Sequence, residues 1–241
     1  MIAAVIPLAF LVAGLVALAT GAIVLRSFGP RYRVGRLLST TPRVTVGEAI
    51  DLATGEPRYV AVRGRVDAET PFEDDAHRPL VYRRTRFERR DGRAWVTFDD
   101  QREAVAFQVQ EGLDGIAIDA RSLDIGLIVV RRESLGTAAD VPDRLPDDIA
   151  TDTPVRVRIE QVSAVEHAIV VGVPAPGPDG APWMTAGLGR PLILTTLEPP
   201  EAIRLLADGR TMRPLVAAIC LAVGLVCVSL GLAAAAVGAI L

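Results

Sequence analysis

The chain has 241 residues, a formal net charge of −3 and an apolar fraction of 50%. All 26 basic side chains are arginine, yet the net negative charge excludes binding of a polyanion by bulk attraction, and no nucleic-acid partner is expected. The only cysteines, Cys220 and Cys227, lie inside one apolar run, which excludes a disulfide framework or a zinc cluster; no metal or other cofactor is expected.

In chain order, residues 2–25 come first, and they hold no charged side chain; the same is true of residues 215–241. A bilayer core takes about 20 apolar helical residues, so both stretches read as transmembrane helices. A lone strand would leave its backbone groups unpaired in lipid. A secretory signal carries a basic leader and a shorter apolar run; only Met1 precedes this one, so it is read as an anchor. Pro7, Gly14 and Gly21 recur every seven residues in the first helix, and Gly224, Gly231 and Gly238 in the second. Small residues on one stripe let helices approach closely, and a seven-residue period means left-handed packing. The stripes predict an antiparallel helix pair, or an oligomer built through the same faces; the plain alternative is that Gly is common in membrane helices. Arg26, Arg31, Arg33 and Arg36 follow the first helix, and Arg204, Arg210 and Arg213 precede the second. Basic flanks tend to stay cytoplasmic. The expectation is a multi-pass cell-membrane protein with both termini outside and the intervening domain in the cytoplasm. Phe28 and Tyr32 stand where interfacial aromatics are expected.

Residues 26–57 form a juxtamembrane segment with one helical signal at 46–52. Residues 58–207 then read as one β domain. Strands are expected at 59–66, 80–90, 94–98, 104–109, 115–118, 127–130, 155–159, 168–173 and 192–195, with Asp91-Gly92 as a tight hairpin turn. The acidic, proline-bearing stretch 138–154 and the Pro/Gly-dense stretch 174–182 read as loops, the latter an exposed excursion. Pro199 and Pro200 suit the first turn of a short helix over 199–207. The whole is expected as a mainly-β, antiparallel domain, barrel- or sandwich-like, with one or two short helices, flanked by two transmembrane helices.

No Gly-rich phosphate loop followed by Lys-Ser/Thr, nucleophile elbow or helical His-Glu metalloprotease pair occurs, so no catalytic residue is assigned. Other motifs do carry a resemblance: Gly64-Arg65-Val66, Pro79-Leu80-Val81-Tyr82-Arg83-Arg84, Phe87-Glu88-Arg89-Arg90 with Trp95, Val105-Ala106-Phe107, Asp114-Gly115-Ile116-Ala117-Ile118-Asp119 and Gly189-Arg190-Pro191-Leu192-Ile193-Leu194. In this order, between two apolar helices, the sequence resembles the GIDE ("beside a membrane", BAM) domain. In organelle-membrane ubiquitin ligases that domain lies between two spans and a RING finger follows the second. The resemblance implies a non-catalytic binding module that recruits a protein partner or contacts lipid. Its alternative is an E3 ubiquitin-protein transferase-like member acting with a RING component supplied in trans, since the residues to hold the RING zincs are not in this sequence.

The richest cluster is Arg83, Arg84, Arg86, Arg89, Arg90 and Arg93. On a strand, Arg84, Arg86 and Arg90 share a face with Tyr82 and Glu88, and Arg83 and Arg89 take the other. Arginine on both faces predicts an edge strand or protruding hairpin, free to meet anionic headgroups or a partner. The competing role is ion pairing with acids such as Glu73, Asp74, Asp75, Asp99 and Asp100, together with edge protection. Trp183, in the Pro/Gly loop, is a candidate interface anchor. His77 and His167 read as ordinary loop and structural residues.

Overall fold

Among the described residues of the computed structural model there are four α-helices, α1 (Ile2–Thr40), α2 (Val46–Leu52), α3 (Pro199–Ala207) and α4 (Met212–Ile240). The structure describes residues 2–144, 146, 149–207 and 212–240. It divides into one unit of Met1–Gly35 with Leu206–Leu241 and a second of Arg36–Leu205.

In the first unit, Pro7–Arg26 of α1 and Leu215–Ala236 of α4 have mean hydropathies of 2.6 and 2.7, long and apolar enough to cross a membrane. α1 does not stop near residue 25 but runs on as helix through the following arginines to Thr40. Within Pro7–Arg26 of α1 the buried positions are Pro7, Gly14 and Gly21; within Leu215–Ala236 of α4 they are Ala217, Gly224 and Gly231. A Cβ on Gly14 would lie 2.9 Å from the Gly224 carbonyl oxygen, and one on Gly224 2.9 Å from the Gly14 oxygen. Gly21 faces Leu221, and Gly231 faces Leu11 and the Pro7 carbonyl. The helices are therefore antiparallel, with backbone against backbone where glycine removes the side chain. The surroundings of Phe28, Arg31, Arg210, Arg213 and Gly238 lie outside the described residues.

The second unit opens with α2. Thr45 and Glu48 form a capping box, the Thr45 Oγ1 accepting from the Glu48 N–H and the Glu48 carboxylate from the Thr45 N–H. Glu111 accepts the Val46 N–H at 2.8 Å, which ties this helix to the sheet. The strands that follow are β1 (Val60–Asp67), β2 (Phe72–Glu73), β3 (Pro79–Asp91), β4 (Ala94–Ala104), β5 (Gln108–Glu111), β6 (Asp114–Ile118), β7 (Leu127–Ile128), β8 (Arg132–Thr137), β9 (Pro154–Ser163), β10 (His167–Pro176), β11 (Pro182–Thr185) and β12 (Ile193–Thr195).

They make two sheets. β1, β5, β6, β11 and β10 pair in that order, and β10 returns to β1, closing a five-stranded barrel; β12 and β7 extend from β10. The barrel interior takes alternate residues, among them Val60, Val62 and Val66 of β1, Val109 of β5, Ile116 and Ile118 of β6, Val170 of β10 and Met184 of β11. β1 hands over from β10 to β5 around Arg65. Gly64 sits at that bend because a Cβ there would lie 2.3 Å from the Gln110 carbonyl oxygen. The expected antiparallel pattern holds for most pairings, but β11 runs parallel to β6 and β12 parallel to β7.

The second sheet has the order β2-β3-β9-β8, with β4 also on β3. Its Val81, Tyr82 and Val162 join the barrel's core cluster, as does Ala164 just past the end of β9. Farther along, a second cluster covers one face: Ala138 and Ile149 are buried with Val155, and Phe98, Val141 and Val157 pack around them. The strand expected at 104–109 is interrupted: Ala104 ends β4, residues 105–107 break the ladder, and Gln108 and Val109 open β5. Three strands, β2, β8 and β11, stand where none was expected. The excursion at 174–182 shrinks to residues 177–181, because β10 and β11 pair as far as Pro176 and Pro182.

Candidate interaction surface

β3 is not an edge strand. It pairs with β4 along one side and β9 along the other, so the expectation of a free, protruding arginine strand is corrected. Arginines appear on both faces because both flanking strands bring acids to meet them. Alternation and register put Tyr82, Arg84, Arg86 and Glu88 on one face with Asp100 and Arg102 of β4, Arg156, Arg158 and Glu160 of β9, and Glu133 of β8.

On this face each pair of guanidiniums shares a carboxylate. Arg84 holds Asp100 with two hydrogen bonds, Nε to Oδ1 at 2.8 Å and Nη2 to Oδ2 at 2.6 Å. It also reaches Asp124 at 3.1 Å, which Arg102 meets at 3.0 Å. Arg86 and Arg131 converge on Glu160 Oε1 at 2.9 and 2.6 Å. Arg156 and Arg158 both contact Glu88 and Glu133, and the Arg156 guanidinium lies 4.5 Å over the Trp95 ring. Six arginines thus meet five carboxylates. Glu88 and Glu160 keep only 7% and 5% of their side-chain exposure, so their charge is tolerated only because it is paired.

The electrostatics agree. The hydrogen bond from Arg84 holds the Asp100 carboxyl below the usual carboxylate range, and the one from Arg158 does the same for Glu133. Asp100 in turn raises the Arg84 guanidinium. Burial pushes the Tyr82 phenol up. Its hydroxyl and the Arg86 Nε are buried without a hydrogen-bond partner among the described residues.

The other candidates separate. Arg83 is on the opposite face, 2.7 Å from Glu103 and 5.6 Å over the Phe72 ring. Arg89 shares that face and is engaged. Arg90 donates from Nε to the Gly92 carbonyl at 3.2 Å, and Arg93 is exposed in the hairpin turn. Trp183 is half-buried in the barrel wall on β11, opposite Ala175 and Ala117, rather than on a loop. His77 Nδ1 is within hydrogen-bond distance of Glu73 Oε2, 2.8 Å, and His167 on β10 stands opposite Arg65.

Sequence reasoning missed β9 as the complement of β3. Arg84-Thr85-Arg86-Phe87-Glu88 and Arg156-Val157-Arg158-Ile159-Glu160 share one pattern, and antiparallel pairing sets Arg84 against Glu160 and Glu88 against Arg156. That repeat was the available signal. β8 was missed as well. Among the described residues it pairs with β9 alone, and all six of its residues are exposed. Its Arg-Glu-Ser-Leu-Gly-Thr sequence has no apolar alternation to betray a strand.

No protein-family model, curated protein or solved structure matches the chain.

Proposed function

We propose that the chain is a membrane-anchored interaction domain of the GIDE type that recruits a protein partner and does no chemistry by itself. The observation that supports it is the outer surface of the helix pair. Leu8, Leu15, Val16 and Ile23 are 61–71% exposed, as are Leu225, Val226 and Leu232 on α4 to 57–63%. Two helices whose small residues are spent on each other and whose large apolar residues face outward fit a lipid solvent. The arginine flanks favour a cytoplasmic domain in a cell membrane, with both termini outside. A protein partner is favoured over anionic headgroups because Arg84 and Arg86 are already committed to Asp100 and Glu160. The test is extraction of the full chain from membranes. It is expected to resist alkaline carbonate and to dissolve in detergent; release by carbonate would overturn the anchor. A cysteine introduced by Leu113→Cys, at a wholly exposed turn, is expected to react with an impermeant maleimide only when the cytoplasmic side is open. Binding to anionic vesicles that falls with Arg84→Ala and Arg86→Ala would instead favour lipid contact.

A further inference from the structure

The open edge at β8 carries the next step. Ala138, just past its end, donates its N–H to Thr153, on the β9 side, whereas Thr137 donates to its own Asp140 carboxylate. Backbone groups in an antiparallel ladder alternate between the two neighbours. The N–H and C=O of Glu133 and Leu135 therefore point the same way as those of Thr137, away from β9. Among the described residues, nothing lies on that side to receive them. Thr137 closes one end of the edge, so two open rungs remain, two residues apart.

We infer that this edge pairs antiparallel with β8 of a second copy of the chain, about a twofold axis through Ser134. This rests on the membrane-anchored interaction reading. Three self-pairing registers exist near the open rungs. Centred on Glu133, the edge sets like charges directly opposite. Centred on Leu135, it asks for the Thr137 N–H that Asp140 already holds. Centred on Ser134, Glu133 of one copy meets Leu135 of the other, twice, and every open N–H finds an open C=O.

The side chains match that register. Arg132, Ser134 and Gly136 share the face opposite the charge lattice, and Arg132 of one copy lands opposite Gly136 of the other. Gly136 has no side chain, and its Cβ position lies 2.6 Å from the Asp140 carboxylate, which fills the space instead. Hydrogen bonds from Thr137 hold the Asp140 carboxyl below its usual range, so it stays ionised. Arg132 has no ion-pair partner among the described residues. The twofold brings it to Asp140 of the second copy, and the reverse. Leu135, 74% exposed, lies on the lattice side of the seam. Four hydrogen bonds and two exposed ion pairs are weak in dilute solution; confinement of both copies to one membrane supplies the effective concentration.

The experiment uses the full chain in reconstituted vesicles, with Cys220→Ser and Cys227→Ser removing the native thiols. Ser134 would face its own copy in a non-hydrogen-bonded pair, at about 4.5 Å between Cα atoms, within disulfide reach. Ser134→Cys is expected to form a disulfide-linked dimer at least tenfold faster under mild oxidation than Leu113→Cys, which reports random collision. Adding Arg132→Glu or Leu135→Pro is expected to return the rate to the collision level, since proline on an outward edge position leaves the bonds to β9 intact. Arg132→Lys is expected to keep it. Equal rates for Ser134→Cys and Leu113→Cys in membrane-retained chain overturn the pairing and leave the anchor standing. Crosslinking of Ser134→Cys to a different protein, or a fast rate untouched by both Arg132→Glu and Leu135→Pro, also overturns it.

Discussion

The barrel closes with ring strands of four to ten residues, whereas the second sheet stays open although its main strands, β3, β4 and β9, run to ten residues or more. In the barrel, β10 returns to β1 and the ring strands have no free edge; the interior is valine, isoleucine and methionine, and its shape depends on glycine where backbones nearly touch. The second sheet ends at β2 and β4 on one side and β8 on the other, and one of its faces is held by paired charge. Apolar packing is indifferent to partner identity, whereas a charge lattice reads register: Arg84 stands opposite Glu160 and Glu88 opposite Arg156, and the two-residue slip that brings Arg158 opposite Arg84 and Arg156 opposite Arg86 loses both pairs. The closed part supplies rigidity, and the open part keeps the surface that can meet another chain.

The sharpest way to break that contrast is to spoil the barrel's bend. Gly64→Val places a branched side chain where a Cβ alone would sit 2.3 Å from the Gln110 oxygen. The loss is expected to be about 3 kcal/mol or more, seen as a collapse of the thermal transition of the full chain in detergent. A near-normal melt would show that β1 and β5 are not held at this distance. Second in size is Glu160→Gln. It keeps the shape but strips the carboxylate from Arg86 and Arg131 in a site only 5% exposed. Breaking a buried pair from one side costs about 3–5 kcal/mol, read as a lower urea midpoint at unchanged slope. Combining it with Arg86→Met is expected to recover part of the loss, since the remaining cation is then matched by apolar packing.

How legible this was varies with the kind of signal. β1 was visible because one face is buried, so Val60, Val62 and Val66 alternate; Asp91-Gly92 was visible because Gly92 takes a φ of +57° that glycine accepts freely. The lattice was half visible. Parity on β3 assigned Arg84 and Arg86 to one face correctly, but parity says nothing about which strands lie alongside, so a central strand read as an edge. Asp124 and Glu160, which take up those arginines, are 40 and 74 residues away along the chain. Trp183 was misplaced because Pro and Gly around it mark a turn whose flanks still pair. In α1 and α4, by contrast, the seven-residue spacing of glycine is local, and Gly14 and Gly224 meet at backbone contact.

A smaller effect follows from acid. Asp100 and Glu133 have carboxyls lowered by Arg84 and Arg158, and the Arg78 backbone N–H and guanidinium hold Asp74 at about 2. A carboxyl with a depressed folded pKa contributes stability above its unfolded pKa, about 4 for these groups, and that contribution is lost as pH falls through the folded value. Melting temperature is therefore expected to be flat from pH 7 to 5 and to fall between about pH 4 and 2. Asp100→Asn is expected to flatten part of that fall. An acid transition unchanged in this variant would mean that the Arg84–Asp100 pair contributes little to the pH dependence.

The smallest expected effect is on the other face of the same strand. Arg83 and Glu103 are 32% and 51% exposed, and water competes for both, so Arg83→Ala is expected to cost less than about 1 kcal/mol. Loss of the contact over Phe72 adds a few tenths at most, because the ring is itself half-exposed. The comparison with Arg84→Ala is the informative one. Arg84 is two hydrogen bonds deep in Asp100 and shares Asp124, so its removal is expected to cost several times more. Equal costs at these adjacent positions would mean that pairing, not burial, governs both faces, and the division between a structural charged face and an ordinary outer one would fail.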